Sequence, residues 1–372
     1  MKIAFLNSGL QARGGADRWL LGVVAALRAS RPDVETVLLY GREDPALPPH
    51  ERHRLGPGRR VRGLERRGLR AAGGAGAVAR LAAVLDEVDA DVVHCNDVVD
   101  PGLLSVVAAT GRGVATVQDH RFFCPGPGKV LPDSRPCSDP MGSACASCLP
   151  DAGYRERMLS LTRARLSALS AMAAVTVLSR YMQQELASAG VAATLTPPFV
   201  DHLPVRPPSA PRHHLFIGRL AEHKGIATAV AAGRRTRLPL VVAGAGPVPV
   251  AGARWVDRAE LADLLSAAAS VWMPGVWAEP FGIVGLEALA AGVPVIGTLR
   301  GGTGEWLEDE RTGVIVPAGD VDALVRAADR LADDPTLREC LGRQGRAMVA
   351  ARFSVQRSLA ALWPVWEQVA GT

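Results

Sequence analysis

The 372-residue sequence contains no run of about 18 apolar residues, so no membrane-spanning helix is expected. Aromatic residues are scarce, at 5%, and its arginines are clustered and not striped with aromatics. That removes the usual signature of a nucleic-acid binder, and no nucleic-acid partner is expected. The opening Met1-Lys2-Ile3-Ala4-Phe5-Leu6-Asn7 reads as a strand: its apolar stretch is short and no small-residue cleavage site follows. A cytoplasmic protein is therefore expected, whose six cysteines stay reduced or bind metal instead of pairing.

What is present is ordinary for a globular chain: 48% hydrophobic, 21% charged and a net charge of +5. The modest basic excess suits phosphates or a membrane surface. Length alone suggests two domains. Short β-rich runs alternate with helical ones in both halves. Strands are expected near Ile3–Leu6, Thr36–Tyr40, Val92–Cys95, Val114–Val117 and Val175–Leu178. Helical patterns cover Trp19–Ala29, Val78–Val88 and Tyr154–Ala171. Six prolines between 197 and 211 interrupt the pattern and mark a linker. A second series follows, with strands near His214–Ile217, Leu240–Ala243, Trp255–Val256, Val271–Met273, Val293–Ile296 and Val314–Val316. Its helices are expected at Ile226–Ala232, Glu260–Ala269, Val284–Ala291 and Val321–Ala332. The expected fold is α/β, two Rossmann-like doubly wound domains facing across a cleft. The boundaries are 1–196, a linker at 197–211, 212–353, and a tail helix in 354–372 that crosses back. An arginine-rich block at 52–70 reads either as a solvated loop or as a peripheral contact with a membrane or anionic acceptor.

Three motifs in the second half carry chemistry. Gly218-Arg219-Leu220-Ala221-Glu222-His223-Lys224-Gly225 follows a strand and opens a helix. Arg219 supplies a rigid donor fork, Lys224 a point charge, and the turn supplies backbone N–H groups; together these suit a diphosphate. In Glu279-Pro280-Phe281-Gly282-Ile283-Val284-Gly285-Leu286-Glu287, Pro280 keeps Glu279 extended, and the helix is expected to begin near Phe281 or Gly282. Glu287 falls on the buried side, where a carboxylate needs partners; sugar or ribose hydroxyls are suitable ones. Gly301-Gly302-Thr303-Gly304-Glu305 lets the backbone approach a ligand closely, or is a plain turn.

Taken in this order and spacing, the motifs resemble the retaining nucleotide-sugar glycosyltransferases of the two-domain GT-B architecture, family 4 (glycosyl transferases group 1). The likeness is strong over about 212–320 and extends to Ser8-Gly9-Leu10-Gln11-Ala12-Arg13-Gly14-Gly15-Ala16 and to Val177-Leu178-Ser179-Arg180-Tyr181. It implies that Arg219 and Lys224 hold the diphosphate of a nucleotide-diphosphate sugar. Glu287 would bind the ribose and Glu279 the transferred sugar. The N–H groups of Phe281, Gly282 and Ile283 would lie against sugar and phosphate, with Gly14 and Gly15 closing over the phosphates. The family commonly has a histidine followed by aspartate after the fourth strand of the first domain. Here, aligning on Asp119 puts Gln118 in the histidine's place. His120, two positions on, faces the same side of a strand and is assigned near the sugar. The catalytic set is thus Glu279, His120, Lys224 and Arg219, with no cofactor for catalysis; no Asp-x-Asp pair lies between Arg219 and Glu305.

His94, Asn96, Gln118 and Asp119 are acceptor-side candidates, with a strand-end cap as the alternative for the first two. The acceptor is a small molecule, a glycan or a lipid-linked sugar. Cys124, Cys137, Cys145 and Cys148 fall in one Pro/Gly-rich loop and can form a structural zinc site or hold an iron–sulfur cluster; reduced thiols are the alternative. The residues by themselves also leave open a nucleotide-sugar epimerase or a non-catalytic nucleotide-sugar binding protein on the same fold.

Overall fold

The apolar runs of the first half become seven parallel strands: β1 (Lys2–Leu10), β2 (Glu35–Glu43), β3 (Gly58–Arg60), β4 (Val92–Asn96), β5 (Gly113–Val117), β6 (Ala174–Val177) and β7 (Thr194–Leu195). The structure, a computed structural model, describes every residue apart from 12, 13, 46, 48, 66–73, 201–208 and 372, and apart from the side chains of 49–51. The strand order is β3-β2-β1-β4-β5-β6-β7, so the direction of winding reverses between β1 and β4. Helices α1 (Gly15–Ser30), α2 (Pro49–Arg54), α3 (Ala75–Val88), α4 (Pro101–Ala109), α5 (Ala152–Ser170) and α6 (Arg180–Ser188) connect them. The central strands β1, β4, β5 and β6 are buried on both faces, which is why they read as mainly apolar runs and do not alternate.

The second half repeats the plan with β8 (His213–Ile217), β9 (Leu240–Ala243), β10 (Ala268–Met273), β11 (Val295–Gly297) and β12 (Gly313–Ile315). These pair in parallel in the order β12-β11-β10-β8-β9, reversing between β8 and β10. Helices α7 (Ile226–Gly233), α8 (Arg258–Ser266), α9 (Ile283–Ala290), α10 (Val321–Asp333) and α11 (Pro335–Arg352) cover this sheet. In such sheets ligands sit beyond the carboxyl ends of the strands at the reversal.

The chain divides into one compact unit of residues 1–129, 138–198 and 355–372, and another of 130–137 and 199–354. The linker break expected at 197–211 begins at Pro198, and residues 201–208 of it lie outside the described residues. The tail helix α12 (Val355–Ala370) belongs to the first unit. Leu362, Trp366 and Val369 are buried there, while Leu359 and Trp363 are only partly covered. Each fully buried side chain of this kind contributes roughly 2 kcal/mol.

Two expectations need correction. Trp255–Val256 is not a strand: a single bridge joins Ala243 to Arg254, and Trp255 is 47% exposed. The Asp257 carboxylate caps α8 by accepting from the Glu260 N–H (2.9 Å), which starts a helix where a strand would continue. The arginine block is not simply a solvated loop. Leu55, Val61 and Leu64 between its arginines are buried, and β3 pairs with the edge of β2. Arg52 meets Glu43 (3.3 Å), Arg59 meets Glu87, and Arg60 Nε donates to the Gly41 carbonyl (3.0 Å). Residues 66–70 of the block lie outside the described residues. No helix among the described residues is long and apolar enough to cross a membrane.

Candidate functional site

In the second unit, the loops leaving β8, β10 and β11 converge. The loop after β8 carries Gly218 to Gly225, and the loop after β10 carries Pro274 to Gly282. They touch closely: a Cβ on Gly225 would lie 2.1 Å from the Pro274 carbonyl oxygen, and the Val276 N–H donates to the His223 carbonyl (3.0 Å). That approach brings Lys224 to Glu279. Lys224 Nζ lies 2.9 Å from Glu279 Oε1 and 2.6 Å from Oε2, a bidentate and partly shielded ion pair.

The loop after β11 closes the other side. Glu279 N–H donates to the Arg300 carbonyl (3.3 Å), and the Gly302 N–H donates to the Glu279 carbonyl (2.7 Å). Gly301 has φ +63, and a Cβ there would lie 2.4 Å from the Glu279 carbonyl oxygen. Only glycine allows this backbone to press on Glu279. Gly301 thus lies against the Glu279 backbone and Gly302 against that of Pro280, while Gly304 makes no such approach.

Helix α9 starts after Gly282, one residue beyond the expected position. No backbone bond takes up the N–H groups of Phe281, Gly282 and Ile283 among the described residues. The Phe281 side chain is buried, stacked edge-on against Phe353, and its carbonyl accepts from Trp306 Nε1 (2.7 Å). The residue thus anchors the loop. Glu287 is buried as periodicity requires, at 6% exposure, but its partner is Arg258 (Nη1 to Oε1, 3.1 Å). A ribose would join a carboxylate already paired. Arg219 is exposed and close enough to His223 to influence its charge.

The sequence reading missed two residues here. The Trp277 indole N–H donates to Glu279 Oε2 (2.9 Å), and Lys224 Nζ lies 4.4 Å from the Trp277 ring centroid. The His223 ring packs on Trp277 at 4.5 Å. Burial, then the charges of Lys224 and Arg219, bring the His223 pKa down to about 4 against the pull of Glu279, so the ring is neutral near pH 7. Trp277 lies two residues from Glu279, so an aromatic beside a key carboxylate was the available signal.

In the first unit, the reversal between β1 and β4 holds a polar network. Asn96 Nδ2 donates to Asn7 Oδ1 (2.9 Å), Asn7 Nδ2 donates to Asp17 Oδ1 (2.8 Å), and Gln118 Nε2 donates to Asn96 Oδ1. Asp17 lies in the first turn of α1, whose N-cap is Gly14, so the network ties down the start of the Gly14-Gly15 helix. Asn96 is 0% exposed and its amide is committed within the network. It braces the unit and does not face a ligand.

His94 is corrected in the same way. It is 0% exposed, accepts at Nδ1 from the Trp366 indole (3.0 Å), and lies 2.7 Å at Nε2 from Thr116 Oγ1. Phe5, Trp19 and Trp366 surround its ring. A polar strand end reads as a ligand site until the long-range packing of α12 on it is known, and the expected return of the tail helix does not say which strand it covers.

Asp119 caps the short turn 120–122 and binds Arg121, which also reaches Asp97 (2.6 Å). His120 is 4% exposed, and its Nε2 lies 3.0 Å from the Tyr181 hydroxyl. The cysteines are all free of disulfides, and among the described residues no three Cys, His, Asp or Glu side chains are gathered to hold a metal. Other contacts order the cysteine loop: the Lys129 N–H donates to Cys124 Sγ (3.4 Å), and Lys129 Nζ reaches the Asp139 carbonyl (3.0 Å) and Glu185 (3.3 Å).

Two parallel α/β sheets, each reversing direction with polar loops at the reversal, define a pair of Rossmann-like domains. The fold is that of the GT-B glycosyltransferases. Sucrose-phosphate synthase from Thermosynechococcus elongatus superposes with a TM-score of 0.72, at 20% identity, over 100% of this chain and 99% of that one. Anabaena Alr3699/HepE in complex with UDP-glucose superposes at 0.73, at 16% identity, over 98% and 99%. Residues 211–334, which contain all three converging loops, match the family described as glycosyl transferases group 1. Glycogen synthase of Mycobacterium tuberculosis is 33% identical over 171 residues, a match covering 41% of this chain and 41% of that protein.

Proposed function

We propose that the protein is a retaining glycosyltransferase. It moves a sugar from a nucleotide-diphosphate donor to an acceptor hydroxyl, without a catalytic metal. The observation that carries this is the convergence of Lys224, Glu279 and Gly301-Gly302 at the carboxyl ends of β8, β10 and β11. A nucleoside diphosphate would place its phosphates against Arg219, Lys224 and the free N–H groups before α9. There the cations stabilise the charge that grows on the leaving diphosphate, a task a metal performs elsewhere. Glu279 would receive sugar hydroxyls, and Glu287, held by Arg258, the ribose. UDP-glucose in the complex of the Anabaena protein supports a donor of this class. The catalytic part assigned to His120, the closing role of Gly14 and Gly15, and the acceptor-side roles of Gln118 and Asp119 rest on the resemblance. Peripheral membrane contact through the arginine block and a small-molecule, glycan or lipid-linked acceptor are further parts of the proposal.

Hydrolysis of a panel of nucleotide-diphosphate sugars, with and without candidate acceptors, tests it. Glu279→Gln and Lys224→Ala are each expected to lower turnover by about a hundredfold or more, as loss of a charge-stabilising group does. Folded variants with undiminished turnover would refute the assignment.

A further inference from the structure

The cation meant for the diphosphate and the carboxylate meant for the sugar are bound to each other. Lys224 Nζ contacts both oxygens of Glu279, and the pair is only partly exposed. Partial shielding strengthens such a pair relative to water. An incoming diphosphate competes with Glu279 for the ammonium. As Lys224 turns to phosphate, Glu279 loses the charge-assisted bonds that orient it.

Trp277 touches both partners. Its indole N–H donates to Glu279 Oε2 (2.9 Å), and its ring face lies 4.4 Å from Lys224 Nζ, within cation–π range. His223 packs against the indole at 4.5 Å, and its carbonyl accepts from the Val276 N–H (3.0 Å), so ring and backbone are fixed together. Neutral donors and ring faces do not compete with phosphate for charge. They persist through an exchange of ionic partners.

We infer that Trp277 is a positioning residue for the donor. Its N–H holds the Glu279 carboxylate, and its ring guides Lys224, while the lysine exchanges that carboxylate for a diphosphate. The inference rests on the donor reading above. It narrows the ligand to a nucleoside diphosphate whose terminal phosphate carries a hydroxyl-bearing group, because the carboxylate Trp277 holds is one that accepts from hydroxyls.

Calorimetric binding to the full chain tests this, using UDP, GDP and ADP beside UDP-glucose, GDP-mannose and ADP-glucose. Lys224→Ala is expected to weaken the preferred nucleotide by about tenfold. Trp277→Phe keeps a ring face and loses the N–H. Its affinity for the nucleoside diphosphate should stay within about threefold of the parent, while the sugar nucleotide weakens by about tenfold. Trp277→His, which keeps a ring N–H, should restore part of the sugar preference. Glu279→Ala frees Lys224, so the nucleoside diphosphate should bind as well as before or tighter, with the sugar preference gone. In that background Trp277→Phe should change neither affinity by more than about twofold, since neighbours acting through one group are not additive. Equal weakening of both ligands by Trp277→Phe, or the same loss with and without Glu279, would overturn the role of Trp277 and leave the donor reading standing. Binding of none of the six, or unchanged binding by Lys224→Ala, would overturn the donor reading and the role of Trp277 with it.

Discussion

His94 makes a sharp test because its chemistry is simple. The ring is 0% exposed and packed by Phe5, Trp19 and Trp366. Burial lowers its pKa from 6.5 to about 3. The Trp366 indole can only donate, so Nδ1 accepts and Nε2 carries the proton toward Thr116. A second proton would have to displace the indole bond in a dry core. Because the folded pKa is the lower one, the unfolded chain takes up the proton first. Stability from this residue is complete above about pH 6.5 and is lost as pH falls toward 3. Between pH 7 and pH 5 the loss amounts to about 2 kcal/mol. Urea unfolding followed by tryptophan fluorescence at both pH values measures it. His94→Gln keeps an acceptor and a donor but cannot titrate. It should be less stable than the parent at pH 7, yet its change from pH 7 to pH 5 should be smaller by about 2 kcal/mol. Comparing the two changes cancels other titrating groups, including His214 and His223, whose pKa values burial also lowers. Equal changes in parent and variant would refute the reasoning, as would an imidazole that titrates near pH 6.5 by NMR.

Other substitutions probe the second unit and the cysteine loop. Gly301→Ala forces a side chain into φ +63 and against the Glu279 carbonyl. It should cost about 1–3 kcal/mol and weaken nucleotide-sugar binding, and unchanged melting together with unchanged affinity would contradict the close approach. Arg258→Ala leaves the buried Glu287 carboxylate without its guanidinium. A loss of about 3 kcal/mol in unfolding free energy is expected, and a neutral effect would mean that the pair is not formed in solution. Metal analysis of the purified protein beside Cys145→Ser tests the cysteine loop, and a metal-free parent that melts like the variant would exclude a structural zinc or iron–sulfur site there. One tightly held metal per chain, lost in that variant, would show that the loop closes around an ion.

Much of this molecule was legible locally. Val92–Cys95 and Leu240–Ala243 read as strands because a parallel strand buried on both faces is apolar throughout. The break near Pro198 followed from prolines that cannot join a sheet or continue a helix. Arg219, Lys224, Glu279 and Glu287 stood out because charged groups beside glycine turns and apolar helices need a reason to be there. The short helices α4 and α6 were passed over although Asp100 and Ser179 cap them, since so few turns carry little periodicity.

The sequence by itself therefore determined the alternation of strands and helices, the division into two units and the charged, glycine-rich character of the loops after β8 and β10. All of these rest on patterns within about twenty residues. Only the tertiary structure decided which groups meet. Lys224 and Glu279 are 55 positions apart, and their ion pair depends on two loops leaving neighbouring strands. Glu287 is paired by Arg258 from another helix. His94 became a core residue because Trp366, 272 positions away, returns with α12 to cover it. Whether a polar side chain at a strand end serves a ligand or the core depends on what packs over it. That is set by long-range packing, which no local pattern encodes.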